Sequence, residues 1–90
     1  MNQTKMLHTI KFRGKRIRLK IPVTVSISCD EGIYYIVSEE LMVYGYGKTE
    51  KEAMEEFHSI FLDMIAIAKK YGRRGNRGVN RLMWHVTGVK

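Results

Sequence analysis

The sequence predicts an α+β fold: a small antiparallel sheet of three core strands, extended by a basic N-terminal hairpin and a C-terminal strand, packed against one long helix. Three observations predict it. Apolar and polar residues alternate with a period of two through much of the first half, the pattern of half-buried strands. From residue 53 to 71 the period changes. Ala53, Phe57, Ile60, Phe61, Met64, Ala68 and Tyr71 recur at three- and four-residue spacing, which makes one apolar stripe on a helix. Between the two patterns lies the glycine-rich turn Gly45-Tyr46-Gly47-Lys48-Thr49. Thr49 can cap a helix by accepting a first-turn amide, and Glu52 can bond back to the Thr49 amide, completing a capping box.

Taken in order, residues 1–6 read as a frayed terminus. Residues 7–12 and 17–21 flank Arg13-Gly14-Lys15-Arg16, where Gly14 can take a positive φ, so the pair reads as a β-hairpin. In its second arm Ile17, Leu19 and Ile21 alternate with Arg16, Arg18 and Lys20, giving one apolar and one cationic face. Pro22 lacks a ladder donor and marks a strand edge or bend. Residues 23–28 and 33–37 read as strands around the turn Asp30-Glu31-Gly32, and residues 41–46 as a third. Glu50, Glu52, Glu55 and Glu56 crowd the positive end of the helix dipole, Lys69 and Lys70 its negative end, and Gly72 suits a left-handed cap. Residues 72–80 then read as a flexible basic loop. In residues 81–89, Leu82, Trp84 and Val86 alternate with Met83, His85 and Thr87, which reads as a last strand.

Ninety residues make a single domain, divided here into a basic hairpin (1–22), a β-β-β-α module (23–71) and a basic loop with terminal strand (72–90). No apolar run approaches the roughly 20 residues that span a bilayer. With no signal-peptide pattern and a lone Cys29, a cytoplasmic location is expected. Charge is segregated. Residues 1–22 carry seven Lys or Arg and no acid, residues 23–68 carry all nine acids and two lysines, and residues 69–90 carry seven Lys or Arg and no acid. Two basic ends of this density suit a polyanion, DNA or RNA. They equally suit pairing with the acidic middle, in the same chain or a second subunit.

Residues 23–68 resemble the HicB-like antitoxin family of small domains with a partial RNase H-like fold. The resemblance is carried by VTVSISCDEGIYYIV and by Gly47-Lys-Thr-Glu-Lys-Glu-Ala53, where Gly47, Thr49, Glu52 and Ala53 match the family's Gly-x-Thr-x-x-Glu-Ala position for position. It covers about half the chain and no catalytic signature. The family's Pro-Gly-Cys loop is replaced by Glu-Leu-Met-Val-Tyr, and residues 72–90 are too short and glycine-rich for the helix-turn-helix or ribbon-helix-helix of many full antitoxins. The resemblance implies a sheet-plus-helix domain that forms homodimers and masks a small basic toxin-like partner.

Catalytic constellations are weak by comparison. A metal-dependent nuclease needs several carboxylates converging on Mg²⁺, and here Asp30 and Glu31, Glu39 and Glu40, and the helix glutamates fall in separate segments. His8, His58, His85 and Cys29 lack metal-ligand spacing, so His58 reads as a packed imidazole and Cys29 as a small strand-end residue. One residue separates Gly45 from Gly47, whereas a P-loop needs four between its glycines. No cofactor motif is present. The expected function is therefore non-enzymatic nucleic-acid binding in a regulatory role, through Lys11, Arg13, Lys15, Arg16, Arg18 and Lys20 on the hairpin and Arg73, Arg74, Arg77 and Arg81 near the C-terminus, with Tyr46 and Trp84 as base-stacking candidates. Masking of a small basic protein is the alternative, and nuclease activity a distant third.

Overall fold

The computed structural model describes residues 3–71 and 77–89. Strands β1 (Gln3–Phe12), β2 (Lys15–Asp30), β3 (Ile33–Ser38) and β4 (Val43–Gly47) pair antiparallel in chain order, and helices α1 (Glu50–Tyr71) and α2 (Arg77–Thr87) follow. The α+β class is as the sequence predicts. Two connections are two-residue turns with both φ angles positive: Arg13 and Gly14 at 49° and 83°, Glu31 and Gly32 at 51° and 76°. Successive left-handed residues make the turn whose twist matches the flanking strands, and glycine in the second place removes the Cβ clash. Between β3 and β4 the Met42 amide donates to the Glu39 carbonyl, and the Leu41 amide to the buried Ser38 hydroxyl.

The basic hairpin is not an appendage to a three-stranded core. β2 runs unbroken for 16 residues through Pro22 and belongs to both. Leu7 pairs with Val23 and Thr9 with Arg18, so Leu19, Lys20, Ile21 and Pro22 oppose His8 alone. Proline brings no ladder donor, and the irregularity is where none is needed. The expected frayed terminus is also partly strand: Gln3 already pairs with Ile27, while residues 1–2 lie outside the described residues.

One sheet face is apolar. Val23, Val25, Ile27, Ile36 and Val43 are buried against α1, together with Phe57 and Phe61. Gly45 and Gly47 lie beneath the first turns of α1. A Cβ on Gly45 would come 2.7 Å from the Phe57 amide nitrogen, and one on Gly47 would come 2.5 Å from that of Ala53. The glycines thus permit close helix–strand approach. The edges of the sheet are also tied to α1. The β4 amide of Tyr46 donates to Glu56 Oε2 at 3.2 Å, and the β1 amide of Lys11 donates to His58 Nδ1 at 2.9 Å. Side chains two apart on a helix point about 200° apart, so the sheet curls until its two edges flank α1. The helix fills the concave side and the convex side is left open.

The N-terminus of α1 differs slightly from expectation. Thr49 Oγ1 accepts the Glu52 amide at 3.1 Å, as a cap should, but the Glu52 carboxylate takes the Lys48 amide rather than that of Thr49. The buried stripe is Ala53, Phe57, His58, Phe61, Ile65 and Ala68. Tyr71, expected within it, is 69% exposed because it lies beyond the end of the sheet's cover. Gly72, the expected cap, lies outside the described residues.

The expected C-terminal strand is a helix. In α2 Val79, Leu82 and Met83 are buried and Val86 is partly so, at the spacing i, i+3, i+4, i+7 of a helix stripe. The alternating set Leu82, Trp84 and Val86 is equally apolar, but the structure buries Val79 and Met83 with Leu82 and leaves Trp84 half-buried. Thr87 Oγ1 donates to the Met83 carbonyl, and Gly88, at φ 75°, closes the helix by donating to the Trp84 carbonyl at 2.7 Å. β3 pairs with β2 only from Ser26 onward, which leaves the preceding part of that β2 edge without a strand neighbour. There the carbonyl of Ile21 accepts from His85 Nδ1 at 3.0 Å, so α2 covers an edge that a strand was expected to extend. No described helix is long and apolar enough to cross a membrane.

Candidate nucleic-acid interface

Strand periodicity decides which way the hairpin cations point. In β2 the odd-numbered residues Leu19, Val23, Val25 and Ile27 are buried toward the helices. The even-numbered Arg16 and Arg18 are therefore on the convex face and exposed, while Lys20, also exposed, lies in the irregular stretch with its side-chain stem close to Gly88 at the end of α2. Across the ladder Arg16 lies directly opposite Lys11, and Arg18 opposite Thr9. Like charges directly opposed cost stability. Among the described residues no carboxylate lies within 4.0 Å of Lys11, Arg13, Lys15, Arg16, Arg18 or Lys20; the Lys/Arg–carboxylate pair formed there is Arg81–Glu40. The hairpin thus holds six cations without internal neutralisation. Arg13, at the turn, rests its guanidinium over the Phe12 ring, 5.1 Å from the centroid.

The side of the hairpin nearer α1 is electrostatically mixed. A depression runs between the turn and the helix, formed by residues 11–16 with Glu55, and continues past Lys5, Lys51 and Glu50 to His58. His58 is buried, and its Nδ1 must be unprotonated to accept the Lys11 amide. Burial pushes its pKa below the ordinary 6.5, and the charges of Lys11 and Lys5 lower it further. It acts as a neutral strut between helix and hairpin. Among the described residues no group of three His, Cys, Asp or Glu side chains is placed to hold a metal ion.

The C-terminal cations are differently placed. Arg73 and Arg74 lie outside the described residues. The backbone of Arg77 opens α2, and its side chain lies outside what is described. Arg81 Nη1 donates to Glu40 Oε1 at 3.0 Å, and His85 Nε2 stands 3.8 Å from the same oxygen. Arg81 therefore ties α2 to the β3–β4 turn. Trp84 is half-buried with its ring 4.9 Å from that of His85. Of the ten cations singled out from sequence, the structure gathers the six of the hairpin and places Arg81 in a structural contact elsewhere.

The glycine-rich turn before α1 offers little to an external anion. The Tyr46 and Lys48 amides are already held by Glu56 and Glu52. The same strand carries a second exposed feature. Val43 and Gly45 face the helix, so Tyr44 and Tyr46 point to the convex side, 37% and 49% exposed. Tyr35, opposite Tyr46 on β3, meets it edge-on with centroids 5.4 Å apart. The signal for Tyr35 and Tyr44 was the period of two through β3 and β4. Compared with protein-family models, curated proteins and solved structures, the chain finds no match.

Proposed function

We propose that this protein is a cytoplasmic, non-enzymatic nucleic-acid-binding domain that engages phosphates through the convex face of the β1–β2 hairpin, in a regulatory role. The observation that carries the reading is the directly opposed Lys11 and Arg16, flanked by Arg13, Lys15, Arg18 and Lys20, with no carboxylate in ion-pair range among the described residues. A cluster of like charge held against its own repulsion is worth its cost when a polyanion completes it. Phosphate oxygens do so while releasing condensed counterions, which gives affinity without base recognition.

The alternative, masking of a small basic partner in the manner of a HicB-like antitoxin, would use the acidic residues. Glu40, Glu52 and Glu56 each already hold a partner within the chain, which leaves fewer carboxylates for that role. Binding of labelled DNA and RNA measured from 50 to 200 mM salt tests the choice. With six phosphate contacts, affinity falls by roughly 10³-fold over that range. Absence of binding at 50 mM salt would overturn the reading, and recovery of the native protein with a small basic polypeptide instead of nucleic acid would put masking in its place.

A further inference from the structure

The convex face is continuous from the hairpin to the far edge of the sheet, and its chemistry changes along the way. Down β2 the outward residues are Arg16 and Arg18, then, past the irregular stretch Leu19–Pro22, Thr24, Ser26 and Ser28. The cations give way to small hydroxylic side chains that keep the surface low. Ser26 lies beside Val37 and Ser28 beside Tyr35; Val37 in turn lies opposite Tyr44, and Tyr35 opposite Tyr46. A path along this face therefore begins at guanidinium and ammonium groups and ends at a tyrosine cluster. Thr9 and Thr4 of β1 lie opposite Arg18 and Ser26, so at about 3.3 Å per residue along β1 this path spans roughly 17 Å, the reach of a few nucleotides.

A sheet needs cross-strand aromatic pairs only in part for its own stability. Tyr35 and Tyr46 form such a pair, but Tyr44 has no ring contact among the described residues and stands 37% exposed. Neither described helix covers the cluster: α1 and the glycines that admit it lie on the other side, and α2 packs on β2. Exposed rings set beside a cationic track suit a ligand that is anionic along one edge and aromatic along the other. Duplex DNA hides its base faces in its own stack, whereas a single strand can splay bases onto aromatic side chains.

Resting on the nucleic-acid reading above, we propose that the ligand is single-stranded nucleic acid, its phosphates along Arg16 and Arg18 and its bases stacked on Tyr44 and Tyr46. A second copy of the chain packing on the same tyrosines is the competing occupant. The test compares a dT oligonucleotide, an oligo-U and a duplex of equal length at 50 mM salt, using the full chain and its Tyr44→Ala, Tyr46→Ala and Tyr46→Phe variants. Melting curves confirm folding, and sedimentation reports oligomeric state. Single strands are expected to bind at least tenfold more tightly than duplex. Each alanine change is expected to weaken single-strand binding roughly 5- to 100-fold, with the duplex unaffected and Tyr46→Phe close to wild type.

Duplex binding equal to or tighter than single-strand binding, with folded alanine variants unchanged, would overturn this inference while leaving the phosphate reading intact. Alanine variants that shift the oligomeric state without shifting single-strand affinity would overturn it in favour of a second copy. No binding of any nucleic acid by the wild type would instead remove the reading on which it rests.

Discussion

The two faces of the sheet are built from the same strands and do opposite things. On the concave face, alternate residues are Val, Ile and Leu, both edges are fastened to α1, and Phe57 and Phe61 are fully buried. On the convex face, the intervening residues are Lys11, Arg16 and Arg18 at one end of the molecule and tyrosines at the other, and none of those cations meets an acid among the described residues. The strand period of two lets a chain of ninety residues assign one set of positions to stability and the other to a ligand. The division predicts that substitutions on the two faces separate cleanly: concave changes alter melting, convex changes alter binding.

The largest expected effect tests the concave side. Phe57→Ala should cost about 3–5 kcal/mol of stability in denaturant unfolding, because it removes a fully buried ring beneath which Gly45 leaves no side chain able to fill the space. A loss below about 1 kcal/mol would mean that the helix does not rest on the sheet as described. On the convex side, Arg16→Ala should weaken nucleic-acid binding by about tenfold at 100 mM salt. The same change should leave stability level or raise it by a few tenths of a kcal/mol, since it relieves the repulsion from Lys11. A marked fall in melting temperature for Arg16→Ala would break the division between the faces.

His58 joins the two regions and gives a pH signature of intermediate size. Its pKa in the folded chain lies below 6.5, so the unfolded state binds the proton more readily. Stability from this group is fully present above about pH 6.5 and is lost as pH falls from there through the lower folded value, by at most about 1.4 kcal/mol per pH unit. Urea midpoints between pH 7.5 and 5.5 should show that decline, and His58→Gln should flatten it. An equally steep decline in the variant would assign the titration to another group. The smallest effect belongs to Arg81→Ala. Its ion pair with Glu40 is exposed, with side chains 61% and 48% accessible, so thermal melts should change by less than about 1 kcal/mol and binding hardly at all.

How far these features were legible in the sequence varies along the chain for physical reasons. The two hairpin turns, the capping threonine and the helix following it rest on local rules, namely positive φ at Gly14 and Gly32 and a hydroxyl at Thr49, and all three appear in the structure. Pro22 misled, because a proline stops a ladder only where a donor is required, and the register slip opposite His8 requires none. Residues 81–89 misled for a different reason. Six residues can satisfy both periods, and the deciding apolar residue, Val79, falls before the window read as a strand. Helix α2 also covers the unpaired stretch of β2, a need that is visible only once β3 is known to stop short.

The candidate site shows the same split. The outward direction of Arg16 and Arg18 follows from alternation with Ile17 and Leu19, and was legible. The role of Arg81 was not, since its partner Glu40 lies 41 residues away in sequence. The exposure of Tyr44 is not legible in the sequence, because it depends on Gly45 being pressed against α1, a fact of packing rather than of composition.

The claim that the hairpin's unneutralised cations form the binding surface is tested most directly by the salt dependence of oligonucleotide affinity for the wild type and for an Arg16→Ala, Arg18→Ala double variant. Plotted as the logarithm of affinity against the logarithm of salt concentration, the slope should become shallower by about 2, one unit for each phosphate contact removed. A double variant that is folded and keeps the wild-type slope would place the phosphates elsewhere on the molecule and contradict the account.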